Sequence, residues 1–258
     1  MIPNKFQYVY LTHDGNKHPM YKKFHLMHYI CIKSAIEVNN PDEVNIYCNQ
    51  EPTGEWWKEI RDEVNVVMVE PPKEIFGKPI TELAHMSDVI RLQVLLEEGG
   101  IYTDMDTISV KPYGDLLNNK FVLGVQGNEF GGNDGLCPAV IMSEKDSEFG
   151  KQWLMGFNDT FKGGPPGSDT WCTHSVQYPS WLAKKIPEHI HVEPYSSFFF
   201  PLYHQNTLPD MFERVVSFDK AYSHHLWETA SLKWVKDLTV KEIKNNDTTF
   251  NLLARKYL

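Results

Sequence analysis

The sequence predicts one α/β domain with a mainly parallel central β-sheet. Strand-like and helix-like segments alternate through the first half of the chain, which is the pattern of consecutive β-α-β units. The 258 residues can bury a substantial core without a disulfide or a metal staple. No repeat, low-complexity tract or linker divides the sequence, so we expect residues 1–258 to form a single domain.

The elements of the first half follow from the spacing of apolar residues and from the breakers between them. Over residues 21–38 apolar side chains recur at helical spacing, and an Asn-Asn-Pro-Asp segment then ends the helix. Gly99 and Gly100 end the strongest helix, because glycine adopts the left-handed conformation that a C-cap needs. The predicted elements are strands at 6–11, 44–48, 64–69 and 101–103, and helices at 21–38, 55–63 and 81–98.

The second half is less regular. Runs of β-forming residues predict strands, a longer amphipathic segment predicts a helix, and a Gly-Gly-Pro-Pro-Gly run predicts a loop. The predicted elements are strands at 121–126, 139–143 and 214–218, a helix at 148–161 and a loop at 163–167.

Charge and cysteine content exclude several classes of function. Lysine and arginine number 25 against 34 acidic residues, giving a net charge of −9, whereas nucleic acids and anionic membranes attract a basic face. The four cysteines form no CxxC pair, and we expect reduced thiols. We find no signal peptide and no apolar run of about 18 residues, so we expect a cytoplasmic protein without a transmembrane segment.

An Asp-Met-Asp sequence follows the apolar strand predicted at 101–103. In an extended chain residues i and i+2 point to the same side, so Asp104 and Asp106 can face one ion. Hard cations such as Mn²⁺ and Mg²⁺ are held by one or two carboxylates together with substrate phosphates. A structural turn that favours aspartate is the alternative.

The helix predicted before this strand carries a polar face. His85, Asp88 and Arg91 are spaced three residues apart and share that face. One interpretation is an exposed i,i+3 salt bridge that contributes little to stability. In the other, Asp88 accepts hydrogen bonds from substrate hydroxyls, while Arg91 orients Asp88 or contacts a sugar.

A histidine pair, His224 and His225, follows the strand predicted at 214–218. A histidine at this place can be a third metal ligand or a phosphate donor. An ordinary structural histidine pair is the alternative.

Together these residues resemble a known family. The stretch 87–106 reads SDxxRxxxLxxxGGxYxDxD and resembles the DxD sugar-binding region of glycosyltransferase family 32, which includes mannosyltransferases and relatives of α-1,4-galactosyltransferase. The resemblance extends over residues 80–116. His225-Leu226-Trp227 resembles the family's His-x-Trp, and Gly164-Pro165 its Gly-Pro element.

The resemblance implies a GT-A fold, with a Rossmann-like, mainly parallel central sheet flanked by helices. It implies that residues 1–116 hold the nucleotide-sugar and metal and that residues 117–258 form the acceptor side. Its site residues are the metal ligands Asp104, Asp106 and His225, the donor-contacting Asp88 and Arg91, and Tyr10 and Leu11 beside the nucleoside base. Asp104, Asp106 and Arg91 are the residues expected to carry catalysis, and residues 127–135 to line the sugar pocket.

The implied reaction moves a hexose from a nucleotide-diphospho-sugar to a hydroxyl acceptor with retention of configuration. UDP-hexose is favoured as donor, GDP-mannose is the second choice, and the acceptor is a glycan or glycolipid of polysaccharide biosynthesis. A metal-dependent phosphohydrolase and a non-catalytic carbohydrate- or nucleotide-sugar-binding protein are the alternatives. Two sets of residues are further candidates, for acceptor stacking and for a nucleophile: Trp56, Trp57, Trp171 and Trp181, and Asp134 and Asp169.

Overall fold

The structure is a computed structural model that describes residues 1–12, 23–127, 133–204 and 206–258. Eleven strands are found in these residues. They are β1 (Lys5–Tyr10), β2 (Glu43–Cys48), β3 (Asn65–Met68), β4 (Glu74–Ile75), β5 (Lys78–Pro79), β6 (Gly100–Thr103), β7 (Thr107–Ser109), β8 (Phe121–Gly127), β9 (Asn133–Ser143), β10 (His191–Glu193) and β11 (Ser223–His225).

Ten α-helices surround the strands in the same described residues. They are α1 (Leu26–Asn39), α2 (Glu55–Ile60), α3 (Leu83–Glu98), α4 (Glu148–Thr160), α5 (Tyr178–Lys185), α6 (Tyr195–Phe198), α7 (Pro209–Phe212), α8 (Glu228–Val235), α9 (Val240–Asn245) and α10 (Thr249–Ala254). None of these helices combines the length and the apolar content needed to cross a membrane.

Seven strands form the central sheet in the order β10-β8-β9-β6-β1-β2-β3. Strands β1, β2, β3 and β6 pair in parallel, while β9 is antiparallel to both of its neighbours, β6 and β8. The prediction of a mainly parallel sheet flanked by helices is confirmed. Strand β9 lies between β8 and β6 and starts earlier than the predicted residue 139.

Apolar residues on the two faces of the sheet pack against different layers. Tyr102 and Leu123 lie on the face that packs with α3 and α4, whereas Phe6 and Ile101 lie on the opposite face. Helix α1 is buried between this second face and the C-terminal helices, so it has no broad polar side. The four cysteines are free thiols, as expected, and three of them are buried.

Several predicted elements differ from the structure. Helix α1 begins at Leu26, and residues 21 and 22 of the predicted helix lie outside the described residues. The helix predicted at 55–63 ends at Ile60 and continues as a 3₁₀ turn, and the loop before α3 contains the short β4–β5 hairpin.

The strand predicted at 214–218 is wrong. These residues bond instead to Thr249 at the start of α10: the Thr249 N–H donates to the Arg214 carbonyl (2.7 Å), and the Val216 N–H donates to the Thr249 hydroxyl (2.9 Å). Backbone groups of residues 214–218 therefore form hydrogen bonds with the start of a helix and not with a neighbouring strand. The strand observed in this part of the chain is β11.

The topology brings distant segments to one edge of the sheet. Strands β1 and β6 are parallel neighbours, with Gln7 paired to Tyr102, so their carboxyl ends lie side by side. Strands β7 and β11 form a separate antiparallel pair in which His225 lies opposite Thr107. Residues after β1, after β6 and in β11 thus converge where open α/β sheets bind their ligands.

The turn between α3 and β6 fixes how the helix sits relative to the strand. Gly99 and Gly100 have φ angles of +72° and +109°, which side chains rarely tolerate. A Cβ atom on Gly100 would lie 2.5 Å from the Lys5 carbonyl oxygen. The close approach of β6 to β1 therefore requires glycine at residue 100.

We expect Gly100→Ala to lower the free energy of unfolding by about 3 kcal/mol, because a positive φ and a backbone clash add together. Gly77→Ala is the matched control, since Gly77 also has a positive φ (+72°) but no atom within 4 Å of its added Cβ. We expect this control to lose only about 1 kcal/mol. Denaturant unfolding measures both variants, and equal losses would contradict the role of the close approach.

Candidate active site

A cavity of about 640 Å³ opens at the edge of the sheet where β1 and β6 end. Its walls come from the residues after these strands, from one side of α3 and from the start of α8. Tyr10 and Leu11, expected here from the sequence, both line it and are largely buried. The two residues thus lie where they can contact a flat, apolar group at the end of β1.

Asp104 and Asp106 lie in a turn, and not in the extended chain that the sequence predicted. The Thr107 N–H donates to the Asp104 carbonyl (3.1 Å) and closes the turn between β6 and β7. The side chains nevertheless converge, because one ligand atom from each of Asp104, Asp106 and His225 lies within 4.8 Å of the others. The turn brings the carboxylates together without the alternation of a strand.

His225 reaches the aspartates because β11 pairs with β7. Its Nε2 lies 3.0 Å from Asp106 Oδ1 and 3.7 Å from Asp104 Oδ2. Adjacent residues of a strand point to opposite sides, and Nδ1 of His224 lies 2.6 Å from the Phe200 carbonyl oxygen instead. Only His225 of the predicted pair belongs to this cluster.

The backbone of α8 holds Asp106 from the other side. The Glu228 N–H, at the start of this helix, donates to Asp106 Oδ2 (2.7 Å). The Leu226 N–H donates to the Asp106 carbonyl (2.8 Å). Oδ1 of Asp106 faces His225 while Oδ2 is fixed by the helix.

The two aspartates differ in electrostatic environment. Burial raises the pKa of Asp104 above its usual range, and Arg91 and His225 offset only part of this effect. Burial also acts to raise the pKa of Asp106, but the charge of His225 and the hydrogen bonds from His225 and Glu228 outweigh it and lower the pKa. Burial lowers the pKa of His225, but Asp106 and Asp104 reverse this, so the pKa is raised.

Arg91 links the polar face of α3 to the aspartates. Its Nη2 lies 3.4 Å from Asp88 Oδ1 and its Nη1 lies 3.5 Å from Asp104 Oδ1. The guanidinium also donates to the Pro138 carbonyl (2.8 Å) and lies 4.5 Å from the centre of the Tyr102 ring. Asp88 and Arg91 are 7% and 6% exposed, which excludes the surface salt bridge considered from the sequence.

His174 was missed by the sequence reasoning. Its Nε2 lies 3.0 Å from Asp88 Oδ2, although the two residues are 86 positions apart. It belongs to a single π-helical turn, Thr173–Gln177, and no spacing in the sequence relates it to α3. The pair formed by His28 and Glu228 (3.2 Å) was missed for the same reason, because these residues are 200 positions apart.

The tryptophans and aspartates that the sequence offered as further candidates differ in their position relative to the cavity. Trp171 lines the cavity, whereas Trp57 is a core residue and Trp181 is half-exposed. The described lining includes neither Asp134, which accepts a hydrogen bond from the Tyr203 hydroxyl (3.1 Å), nor Asp169. Trp56 packs against Tyr29 and away from the cavity.

The segment expected to line a sugar pocket, residues 127–135, is only partly described. Residues 128–132 lie outside the described residues. Gln126, at the end of β8, lines the cavity.

Within the part of the chain that the structure describes, two clusters of side chains have the composition of a metal site. Asp104, Asp106 and His225 offer two carboxylates and an imidazole, which suits Mn²⁺ or Mg²⁺, and the buried Nδ1 of His225 has no partner among the described residues. The second cluster, His85, Asp88 and His174, has one carboxylate, and Arg91 already balances its charge. Of the two clusters among the described residues, the first offers the larger number of carboxylates to a divalent ion.

Comparison with known proteins assigns the first half of the chain. Residues 3–122 match the family model described as "Glycosyltransferase sugar-binding region containing DXD motif". A relative from Cryptococcus neoformans var. grubii, "Glucan organizing enzyme 1", is 29% identical over 266 residues, covering 100% of this chain and 71% of the relative.

Solved structures share the fold at low sequence identity. The chain named "PaToxG Glycosyltransferase" superposes with a TM-score of 0.52 at 17% identity, over 72% of this chain and 70% of that one. The apo glycosyltransferase GlyE of Streptococcus pneumoniae TIGR4 gives 0.54 at 12% identity, over 99% of this chain and 60% of that one. Mouse xyloside xylosyltransferase 1 gives 0.51 at 12% identity, over 86% and 96% of the two chains.

These matches confirm two predictions made from the sequence. The match of residues 3–122 to a DXD-type glycosyltransferase sugar-binding region agrees with the resemblance of the SDxxRxxxLxxxGGxYxDxD stretch. The mainly parallel sheet with its flanking helices is the GT-A fold.

The raised pKa of His225 predicts how the stability of the metal-free protein depends on pH. A histidine whose pKa in the folded state lies above its unfolded value of 6.5 stabilises the fold below pH 6.5. That contribution is lost as the pH rises through the folded pKa. We expect the unfolding temperature in EDTA to fall as the pH rises above about 6.5, and His225→Gln to weaken this dependence.

His224→Gln is the control for this experiment. Burial lowers the pKa of His224 to about 4, so its imidazole is neutral in the folded protein over the same range. We expect His224→Gln to keep the slope of the wild-type protein. An equal slope in His225→Gln and the wild type would show that the His225 charge does not stabilise the aspartate cluster.

Proposed function

We propose that this chain, which is a glycosyltransferase, moves a hexose from a nucleotide-diphospho-sugar to a hydroxyl acceptor in a metal-dependent reaction with retention of configuration. The observation that carries the proposal is the convergence of two charged groups in one cavity. Asp104, Asp106 and His225 form one group, and Asp88 with Arg91 forms the other, linked to the first by Arg91.

Asp104, Asp106 and His225 would hold the divalent ion, with Mn²⁺ favoured and Mg²⁺ as the second choice. When bound, the ion supplies positive charge against the diphosphate leaving group. The chain's own contribution is to keep both carboxylates close without a bound cation. Arg91 balances part of the charge of Asp104, and His225 balances that of Asp106.

Asp88 and Arg91 would contact the ribose or the sugar of the donor. A buried carboxylate and a buried guanidinium offer a fixed acceptor and fixed donors to sugar hydroxyls, and fixed groups lose little entropy on binding. Arg91 is held by Asp88, Asp104 and the Pro138 carbonyl, so its position is set before a substrate arrives. Tyr10 and Leu11 would contact the nucleoside base at the end of β1.

The acceptor would enter from the side formed by residues 117–258, with residues 1–116 holding the donor. Trp171, Tyr203 and Trp227 line the cavity from this second part of the chain. Aromatic rings offer flat apolar surfaces, which suit the faces of sugar rings. A glycan or glycolipid acceptor fits this wall.

UDP-hexose is the favoured donor, with GDP-mannose as the second choice. The Cryptococcus relative is named for glucan, which supports a role in polysaccharide biosynthesis. Four free thiols favour a reducing compartment, and we propose the cytoplasm.

A thermal-shift panel tests the proposed donor. UDP-glucose, UDP-galactose, UDP-N-acetylglucosamine and GDP-mannose are each added with Mn²⁺ or with EDTA. We expect one donor at about 100 times its Kd to raise the unfolding temperature by about 5–10 °C with Mn²⁺. No shift with any donor, or the same shift in EDTA, would contradict a metal-dependent nucleotide-sugar site.

Asp106→Asn tests the metal ligands directly. Asparagine keeps an oxygen for the Glu228 N–H but removes the negative charge, so we expect kcat/KM for transfer from the best donor to fall about 1000-fold. Mn²⁺ binding measured by titration calorimetry should be lost as well. Asp115→Asn, which removes an exposed carboxylate, is the matched control and should keep both properties. Near-normal turnover in Asp106→Asn would overturn the ligand assignment.

A further inference from the structure

His174 is the most tightly enclosed histidine near the cavity. Its side chain is 0% exposed. Three rings meet it edge-on: Phe157 and Phe161 at 4.9 Å and His85 at 4.8 Å between centroids, with interplanar angles of 78° to 81°. Its carbonyl accepts a hydrogen bond from the Trp153 indole (2.8 Å). Both the ring plane and the backbone of His174 are fixed by buried contacts.

The fixed ring points one nitrogen at Asp88. Nε2 lies 3.0 Å from Asp88 Oδ2, while Asp88 Oδ1 faces Arg91 at 3.4 Å. Nδ1 of His174 is buried and has no partner among the described residues. A hydrogen on Nε2 fits this arrangement, because it places an N–H on the Asp88 carboxylate.

The two oxygens of the Asp88 carboxylate thus face different donors, which belong to different elements. Arg91 lies one turn away on α3, so it moves with Asp88, whereas His174 belongs to a separate turn packed beneath β9 and α4. A carboxylate held only by Arg91 can rotate about its side-chain bonds. The second hydrogen bond, from an independent and rigid element, removes that freedom.

We propose that His174 is a positioning residue that locks the Asp88 carboxylate toward the cavity and thereby sets the affinity for the sugar part of the donor. The inference rests on the proposed function, since it requires a nucleotide-sugar in this cavity. His174 itself is not among the residues that line the cavity. Its effect therefore passes through Asp88, and it contributes no side chain to the cluster of Asp104, Asp106 and His225.

His174→Phe and His174→Gln separate the hydrogen bond from the packing. Phenylalanine fills the aromatic enclosure but cannot donate to Asp88, and glutamine offers an N–H of similar reach. The probes are UDP and UDP-glucose, each with Mn²⁺, and UDP-glucose is replaced by whichever donor of the four-member panel stabilises the wild-type protein most.

For His174→Phe we expect kcat/KM for the donor to fall about 10- to 100-fold, mainly through a higher donor KM, because a buried hydrogen bond to a charged group is lost. In this proposal Asp88 contacts the sugar and not the ribose, and the diphosphate would lie at the cluster of Asp104, Asp106 and His225, so the Kd of UDP with Mn²⁺ should stay within about twofold. His174→Gln should recover at least about tenfold of the loss. A purely structural role would weaken UDP and the sugar nucleotide together.

The double variant gives an answer even if His174→Phe is less stable. In an Asp88→Asn background, adding His174→Phe should change donor KM by less than about threefold, because the residue acts only through Asp88. If the increases in donor KM caused by Asp88→Asn and His174→Phe multiply in the double variant, the proposal is wrong. Unchanged donor KM in the single His174→Phe variant would also overturn it.

Metal counting excludes a ligand role for His174. We expect His174→Phe to bind the same amount of Mn²⁺ as the wild type, and loss of an ion would mean that the His85, Asp88 and His174 cluster holds a metal instead. If no donor of the panel binds to or reacts with the wild type, the proposed function fails and this inference fails with it. If the wild type is active, the results for the His174 variants test only the inference about His174 and not the proposed function.

Discussion

The buried guanidinium of Arg91 is the interaction on which the cavity depends. It lies within 3.5 Å of both Asp88 and Asp104, two carboxylates that come from different elements and face the same space. Buried carboxylates of like charge repel strongly in a medium of low polarity, so an enclosed acidic site needs a permanent cation beside it. Arginine is the residue that keeps its charge there, and its planar group also stacks on Tyr102. The chain contains only four arginines, and this one is almost fully buried.

The charge balance also explains how an acidic chain can accept a phosphate-bearing ligand. With a net charge of −9, the chain as a whole repels anions. In the cavity, however, Arg91 balances part of the charge of the three aspartates, and a divalent ion bound by Asp104, Asp106 and a neutral His225 would balance the rest. The negative net charge therefore does not argue against a nucleotide in this cavity, because the local arrangement differs from the global charge.

Much of the fold and part of the site could be predicted from the sequence. The apolar periodicity located β1, β2, β6 and α3 to within a few residues, because these elements bury one continuous face. The strand prediction failed at 214–218, where β-forming residues form hydrogen bonds with the start of α10. The β-propensity of a segment does not determine which segment it forms hydrogen bonds with. The prediction from the sequence also assigned an extended chain to Asp104 and Asp106, whose side chains converge through a turn.

From the sequence, the stretch 87–106 predicted the class of enzyme through its resemblance to a DXD-type glycosyltransferase region, and it supplied Asp88, Arg91, Asp104 and Asp106 as candidate site residues. Only the tertiary structure decided which distant residues complete the site. His225 reaches Asp106 through the pairing of β11 with β7, and His174 reaches Asp88 through packing beneath β9 and α4. Contacts between residues 86 or more positions apart depend on the packing of whole elements, which leaves no periodic pattern in the chain.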